Sequence, residues 1–211
     1  MGSVSNPSFG DLAREASLQP QEKLLALGKD NKSLSIGIPK ETIFQEHRVP
    51  LSPMAVQLLV SQGHEVKIES NCGDKANFKD IDYSNSGGEI VFDTKSVYSC
   101  DIILKIAPPT EEEIDLMKHG QIVMSALQMV RTSEVIIKKL LSKNITAIGF
   151  EFLRDDDGSL PIIRSMSEIA GRASVLIAAE YLSNYNSGKG ELFGGIPGIQ
   201  PTQIVVLGAG A

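Results

Sequence analysis

From Leu34 onward, apolar positions alternate between short strand-like runs and longer stretches with helical spacing. Residues 34–38 read as a first strand, closed by Pro39. Ser52-Pro53 then opens a helix, with serine as N-cap and proline at the first helical position. Ala55, Val56, Leu58, Leu59 and Val60 supply its apolar face, and Gly63 ends it. Residues 64–69 alternate polar and apolar, which predicts a strand with one covered face. A loop-rich stretch leads to Gly87-Gly88 and the short run 90–92. Residues 101–106 form a strongly apolar strand carrying Lys105 near its carboxyl end. Thr110-x-x-Glu113 fits a capping box and opens a helix closing at Gly120. Residues 122–127 predict another strand, 133–141 a helix and 146–152 a strand. Strand and helix alternating in this way predict βαβ units: an α/β fold with a parallel sheet and helices on both faces.

The flanks differ from this body. Residues 1–33 are polar and mixed in charge, and read as an N-terminal arm. Ser165-x-x-Glu168 matches a second capping box, predicting a helix through about Leu182. That helix is apolar on nearly every side, the mark of one buried between layers. Gly188, Gly190, Gly194, Gly195 and Gly198 follow, interrupted by Leu192, Phe193, Ile196 and Ile199, and predict an ordered loop. The chain then reads Q-I-V-V-L-G-A-G-A from Gln203 to Ala211. Residues 204–207 are the β-branched run of a doubly buried strand. Gly208 and Gly210 match the first two glycines of G-x-G-x-x-G, a tight turn and a close backbone approach to a pyrophosphate. The third glycine and the phosphate-binding helix would fall beyond Ala211. A chain ending in such a turn is expected to be the N-terminal part of a longer one and inactive alone. The alternative is a frayed strand ending in glycine and alanine.

Composition narrows the function classes. With 211 residues, 42% hydrophobic and 22% charged, the chain is of ordinary globular composition. Its net charge of −6 opposes the basic stripe that nucleic acid requires, so no nucleic-acid partner is expected. No apolar run approaches the ~20 residues that span a bilayer, and residues 1–10 hold no apolar signal segment. A cytoplasmic location without membrane association follows as the expectation. Cys72 and Cys100 are far from C-x-x-C spacing and read as reduced thiols rather than a disulfide. Asp155-Asp156-Asp157-Gly158 lacks the alternation of a calcium loop and reads as a solvated turn, so no metal is expected.

Four ordered motifs carry a resemblance over residues 34–211. I-G-I-P-K-E-x(6)-R-V-P-L-S-P from Ile36 to Pro53 is similar to the N-terminal signature shared by alanine dehydrogenases and the alpha subunit of nicotinamide nucleotide transhydrogenase. D-I-I-L-K-I-A-P-P at 101–109, M-S-E-I-A-G at 166–171 and G-G-I-P-G-I-Q-P-T-Q-I-V-V-L-G-A-G at 194–210 continue the match. The last two favour alanine dehydrogenase. The resemblance implies two α/β domains with the active site between them. It gives residues 34–160 as a flavodoxin- or Rossmann-like substrate domain and 161–185 as an inter-domain helix. Residues 186–211 would begin a Rossmann-type NAD-binding domain, present here only as its first strand and glycine turn. It further implies NAD as cofactor, L-alanine and pyruvate as substrates, and a homo-oligomer at full length.

The site residues can be weighed on chemistry and on resemblance. Arg48 lies in a strand-to-helix loop, where substrate-facing groups of α/β sheets collect. A guanidinium there can grip a carboxylate bidentately, although on the motif alone a surface salt bridge is the better reading. The resemblance implies substrate-carboxylate binding. Lys105, at the carboxyl end of an apolar strand and followed by Ala107-Pro108-Pro109, points to the ligand crevice or to a structural ion pair. The family's matching lysine contacts substrate. Better-known members carry a histidine, polarising the carbonyl and exchanging a proton, where this chain has Gln128. An amide donates a hydrogen bond but carries no proton near neutral pH. The proton chemistry then falls to Lys105 or a water, or the substrate preference differs. His64 and His119 read as surface residues and His47 as an exposed neighbour of Arg48. Ser167 reads either as a helix-start serine without ligand or, by resemblance, as a dinucleotide contact. The competing reading is the NAD(H)-binding alpha subunit of a proton-translocating transhydrogenase.

Overall fold

Six strands build one sheet: β1 (Ser35–Ile38), β2 (Glu65–Glu69), β3 (Glu89–Val91), β4 (Ile102–Leu104), β5 (Ile122–Ser125) and β6 (Thr146–Gly149). The computed structural model describes residues 33–194 and 196–208. Backbone contacts divide them into a unit ending at Ile148 and a second beginning at Gly149. Strand order is β3-β2-β1-β4-β5-β6. β1 pairs in parallel with both β2 and β4, and the β2–β3 and β4–β5 pairs are parallel too. The chain therefore winds outward one way from β1 and then returns to build the other half from β4. The point of reversal lies between β1 and β4.

Register assigns the two faces. Ile36 pairs with Val66 and Ile102, while Gly37 pairs with Ile103. Side chains alternate along a strand, so Ile36 and Ile103 face opposite ways. Ile36, Ile38, Val66 and Ile68 pack with Val56 and Tyr83 from α1 (Pro53–Ser61) and α2 (Asp80–Asn85). Ile103 and Val123 pack with Tyr98 from α3 (Thr94–Tyr98) and Ile114 from α4 (Glu111–Leu116), and α5 (Glu134–Ser142) adds Ile136 and Leu140. Ile38, Ile68, Ile103 and Val123 are fully buried, each contributing about 1.5–3 kcal/mol. Glycine is required at position 37: the Val97 backbone oxygen of α3 lies where a Cβ would stand.

The sequence signals mostly operate as expected. Ser52 Oγ accepts from the Ala55 N–H at 3.4 Å, Ser133 caps α5, and Thr110 and Glu113 form both halves of their capping box. Gly63, at φ +90°, ends the α1 turn. The Asp155–Gly158 turn closes with the Gly158 N–H on the Asp155 oxygen at 2.8 Å.

Several elements differ. The stretch after β2, read as loop, contains a 3-10 turn at Asp74–Ala76 and α2. The expected N-cap letter is missing, and Asp82 instead accepts from the Lys79 N–H at 2.8 Å. α3 was not anticipated because five residues are too few to display a helical period. β5 stops at Ser125, and β6 stops at Gly149, with 150–152 in a 3-10 turn.

In the second unit, α6 (Pro161–Leu182) corrects two expectations. Ser165-x-x-Glu168 is not its cap. Pro161, preset in φ and lacking an N–H, starts the helix earlier. Ser165 Oγ donates instead to the Pro161 oxygen at 2.9 Å, and Glu168 meets Arg164 one turn away at 3.3 Å. Nor is α6 buried: Ile169, Val175, Leu176 and Tyr181 are exposed, and no residue of the helix is buried. Residues 204–207 are not a strand, and Leu207 is 95% exposed. A doubly buried strand needs ladder partners on its edges, and among the described residues none pairs with it. Most of the N-terminal arm, residues 1–32, lies outside the described residues, as does Gly210.

Candidate functional site

In an open parallel sheet, the carboxyl ends of strands at the point of reversal leave a crevice where ligands bind. Here that point is flanked by the loops after β1 and β4, which hold Glu41 and Lys105. The far edges of the same two strands are tied as well. Asp101 accepts from the N–H and hydroxyl of Ser35, each at 2.8 Å.

Lys105 continues the β4 ladder, its N–H donating to the Met124 oxygen at 2.9 Å. Its side chain takes the face of Ile103 and meets α4. Nζ donates to Glu113 Oε1 at 2.9 Å and to Glu41 Oε2 at 3.0 Å, and the lysine side chain is fully enclosed. Both carboxylates have further work. Glu113 Oε2 accepts from the Thr110 N–H at 2.8 Å, closing the capping box of α4. Glu41 Oε1 accepts from the N–H groups of Ile106 at 2.6 Å and Ala107 at 3.3 Å. One side chain from the β1 loop thus holds the β4 loop through three donors. Beside them, burial and the Glu113 carboxylate push the Tyr98 phenol well above its ordinary value and keep it neutral.

Glu41 also lines a cavity of about 270 Å³ over the loops following β1 and β2, together with Lys40, Glu46, Arg48, Asp74 and Lys75. His47 reaches the same cavity and is exposed, as the sequence suggested. Arg48 is engaged with Glu46: Nε to Oε1 at 2.8 Å and Nη2 to Oε2 at 2.6 Å. The guanidinium holds the Glu46 carboxyl below the usual carboxylate range, and Glu46 raises Arg48 in turn. Cys72 lines the cavity too, but burial, reinforced by Asp80 and Glu69, pushes its thiol up to about 12. Native Cys72 should therefore react with iodoacetamide at pH 8 at least about a hundredfold more slowly than in the urea-unfolded chain. Equal rates would show that the thiol is not shielded. Both cysteines are unbonded.

The structure thus brings Arg48, Glu41 and Lys105 into one neighbourhood, with Glu41 standing between the cavity and the lysine. Gln128 is not among the residues lining that cavity. It follows β5 in a left-handed conformation at φ +45°, is exposed, and accepts from the Arg131 N–H at 2.7 Å. Ser167 lies in the second turn of α6 and not at its start, so the free N–H groups of a helix N-terminus are not beside it. Gly208, at φ +115°, has the backbone that a glycine turn needs. For a dinucleotide, the described residues provide one glycine of a cradle rather than a cradle. Among them, no His, Cys, Asp and Glu group could hold a metal, and no helix is long and apolar enough to cross a membrane.

Sequence reasoning missed Glu41, Glu46 and Glu113 as partners. The available signal was Lys105 itself: an ammonium on an apolar strand must meet a counter-ion.

A parallel sheet reversing at β1/β4, with charged side chains gathered at its carboxyl edge, defines an α/β protein of the Rossmann-like class. The family description "Alanine dehydrogenase/PNT, N-terminal domain" matches residues 37–170, and the corresponding C-terminal domain matches 174–211. The chain belongs to the alanine dehydrogenase/PNT family. It is 39% identical over 175 residues to an alanine dehydrogenase of Staphylococcus saprophyticus, covering 83% of this chain and 47% of that protein. Alanine dehydrogenase 2 of Staphylococcus aureus is 37% identical over 177 residues, at 84% and 47% coverage. A solved L-alanine dehydrogenase superposes with a TM-score of 0.75 at 38% identity, over 80% of this chain and 46% of that one. A transhydrogenase from Sinorhizobium meliloti gives 0.53 at 25% identity, over 56% and 35%. The chain spans about half the length of the curated relatives it matches.

Proposed function

We propose that this chain is the substrate-holding part of an NAD-dependent alanine dehydrogenase, which converts L-alanine reversibly to pyruvate and ammonia. The observation that carries the reading is the clustering, at the carboxyl edge beside the sheet's reversal point, of Arg48 with the Glu41–Lys105 pair. The planar Arg48 fork suits a carboxylate, and Lys105 stands behind Glu41 at the wall of the same cavity. NAD would supply hydride acceptance, and Ser167, Gly208 and Gly210 are its proposed contacts in this chain. Residues 34–160 act as the substrate domain, 161–185 as the inter-domain helix and 186–211 as the beginning of the nucleotide domain. On the same reading the full-length enzyme works in the cytoplasm as a homo-oligomer, with small molecules as its partners. The greater identity to alanine dehydrogenases than to the transhydrogenase favours this reading over the transhydrogenase alternative.

The test is an assay of the full-length protein for alanine-dependent reduction of NAD. Absence of that activity, together with NAD(H) binding by a protein that docks on a membrane partner, would transfer the reading to the transhydrogenase. Within the enzyme, Arg48→Lys retains the charge and loses the fork. Pyruvate and alanine should then bind at least tenfold more weakly, about 1.4 kcal/mol. Unchanged Michaelis constants would make Arg48 a structural residue.

A further inference from the structure

We propose that Glu46 is a built-in competitor for the substrate carboxylate, occupying the Arg48 fork until a bound carboxylate displaces it. This rests on the reading of Arg48 as the carboxylate-binding residue. The geometry is that of ligand recognition: two parallel N–H···O bonds, at 2.8 and 2.6 Å, from Nε and Nη2 to the two oxygens of one carboxylate. The Arg48 backbone N–H adds a third bond to Oε1 at 3.1 Å. The proposal places the substrate carboxylate on this Nε–Nη2 edge, where it and Glu46 cannot be held together.

Charge and exposure explain why the exchange is feasible. The cavity's ionic lining is Lys40, Arg48 and Lys75 against Glu41, Glu46 and Asp74, three charges of each sign. Such a cavity offers an anion little standing attraction, and a carboxylate enters by replacing one already present. Glu46 is the one suited to leave. Glu41 is fastened by Lys105 and two backbone N–H groups in buried surroundings. Glu46 is itself only 12% exposed, but among the described residues no lysine pairs with it, and its partner guanidinium is 54% exposed, so the pair opens to water on the arginine side. The two residues are separated only by His47, in a loop turning at Ile43–Glu46, where the Glu46 N–H donates to the Ile43 oxygen at 3.1 Å. Gln45 there holds φ +64°, a left-handed conformation a non-glycine residue adopts at a cost. The device sets a threshold on affinity: carboxylates that make only the fork contact gain little over Glu46, whereas a substrate making further contacts wins.

The test measures calorimetric binding of pyruvate, and of propionate as a carboxylate lacking the keto group, to the full-length protein. Glu46→Gln and Glu46→Ala should each bind both ligands about twofold to fivefold more tightly, the range expected for release from a partly exposed ion pair. Unchanged or weaker binding in either variant, with the fold intact by circular dichroism, overturns the proposal and makes Glu46 an orienting partner of Arg48. Arg48→Lys separates this from the underlying reading. If it leaves binding unaltered, the assignment of Arg48 to the carboxylate is wrong. If it weakens binding while the Glu46 variants do not tighten it, only the competition is wrong.

Discussion

Lys105→Met is expected to destabilise the sheet-bearing unit by about 3–5 kcal/mol, the usual cost of deleting one partner from a buried ion pair. The lysine side chain is fully enclosed, and its loss strands two carboxylates that are themselves 6% and 9% exposed. Their backbone donors remain: Thr110 for Glu113, Ile106 and Ala107 for Glu41. Those neutral dipoles were arranged around a cation, and without it two like charges face each other in a low-dielectric site. Urea unfolding of the single variant measures the loss. The triple variant Lys105→Met, Glu41→Gln, Glu113→Gln removes the stranded charges and should recover most of it, since a buried pair exceeds its neutral replacement by little. A single-variant loss below about 1 kcal/mol, the scale of an exposed pair, would show that the cluster opens to water in solution.

The same cluster shows what sequence makes legible and what it leaves hidden. Strands such as Ile102–Leu104 announce themselves because burial on both faces demands an apolar run, and helices such as α4 because a capping box has fixed letters at fixed spacing. Short helices give neither signal. α3 is held by Asp93 accepting from the Ser96 N–H at 2.9 Å and by its contact over Gly37, and that contact joins residues far apart in sequence. α6 fails for the opposite reason. Its letters predict burial correctly only where covering layers exist, and propensity cannot supply them.

Site residues divide along the same line. Arg48 and Lys105 could be picked out by type and by their place after strands. Glu46 could not, because a carboxylate two residues from an arginine in a loop has no fixed pairing geometry, and Glu41 could not, because its role depends on which loop faces which across the β1–β4 boundary. The parallel order that sets this is a property of the whole sheet. The consequence is chemical: Lys105 is less available than its position at a strand end suggests, and an acid stands at the cavity wall in front of it. A substrate in that cavity meets the lysine's charge through Glu41, or after Glu41 shifts.

For the full-length enzyme, Lys105→Met should reduce turnover by about 10²–10⁴-fold, the range associated with losing a proton carrier, while Gln128→Ala should retain a measurable rate. Because Lys105→Met also costs stability, kcat must be taken per folded molecule, at a temperature where the unfolding curve shows the variant native. The contrast follows from chemistry and place. Loss of a neutral hydrogen bond from a primary amide costs about 1–3 kcal/mol, and Gln128 stands exposed at the turn after β5. Lys105 is an ionisable group, and its Nζ donates to Glu41, one of the residues that line the Arg48 cavity. Glu41→Gln supplies the intermediate case. It preserves an oxygen for the Ile106 and Ala107 N–H groups and removes the charge that fixes Nζ, so kcat should fall while Arg48-dependent pyruvate binding persists. Gln128→His completes the set by adding an imidazole at the edge, which should bring an ionisation near pH 6.5 into the rate profile only if position 128 reaches the substrate. A Lys105→Met enzyme retaining more than about a tenth of wild-type turnover would remove Lys105 from the chemistry. An inactive Gln128→Ala enzyme would show that the amide is essential for orienting the carbonyl.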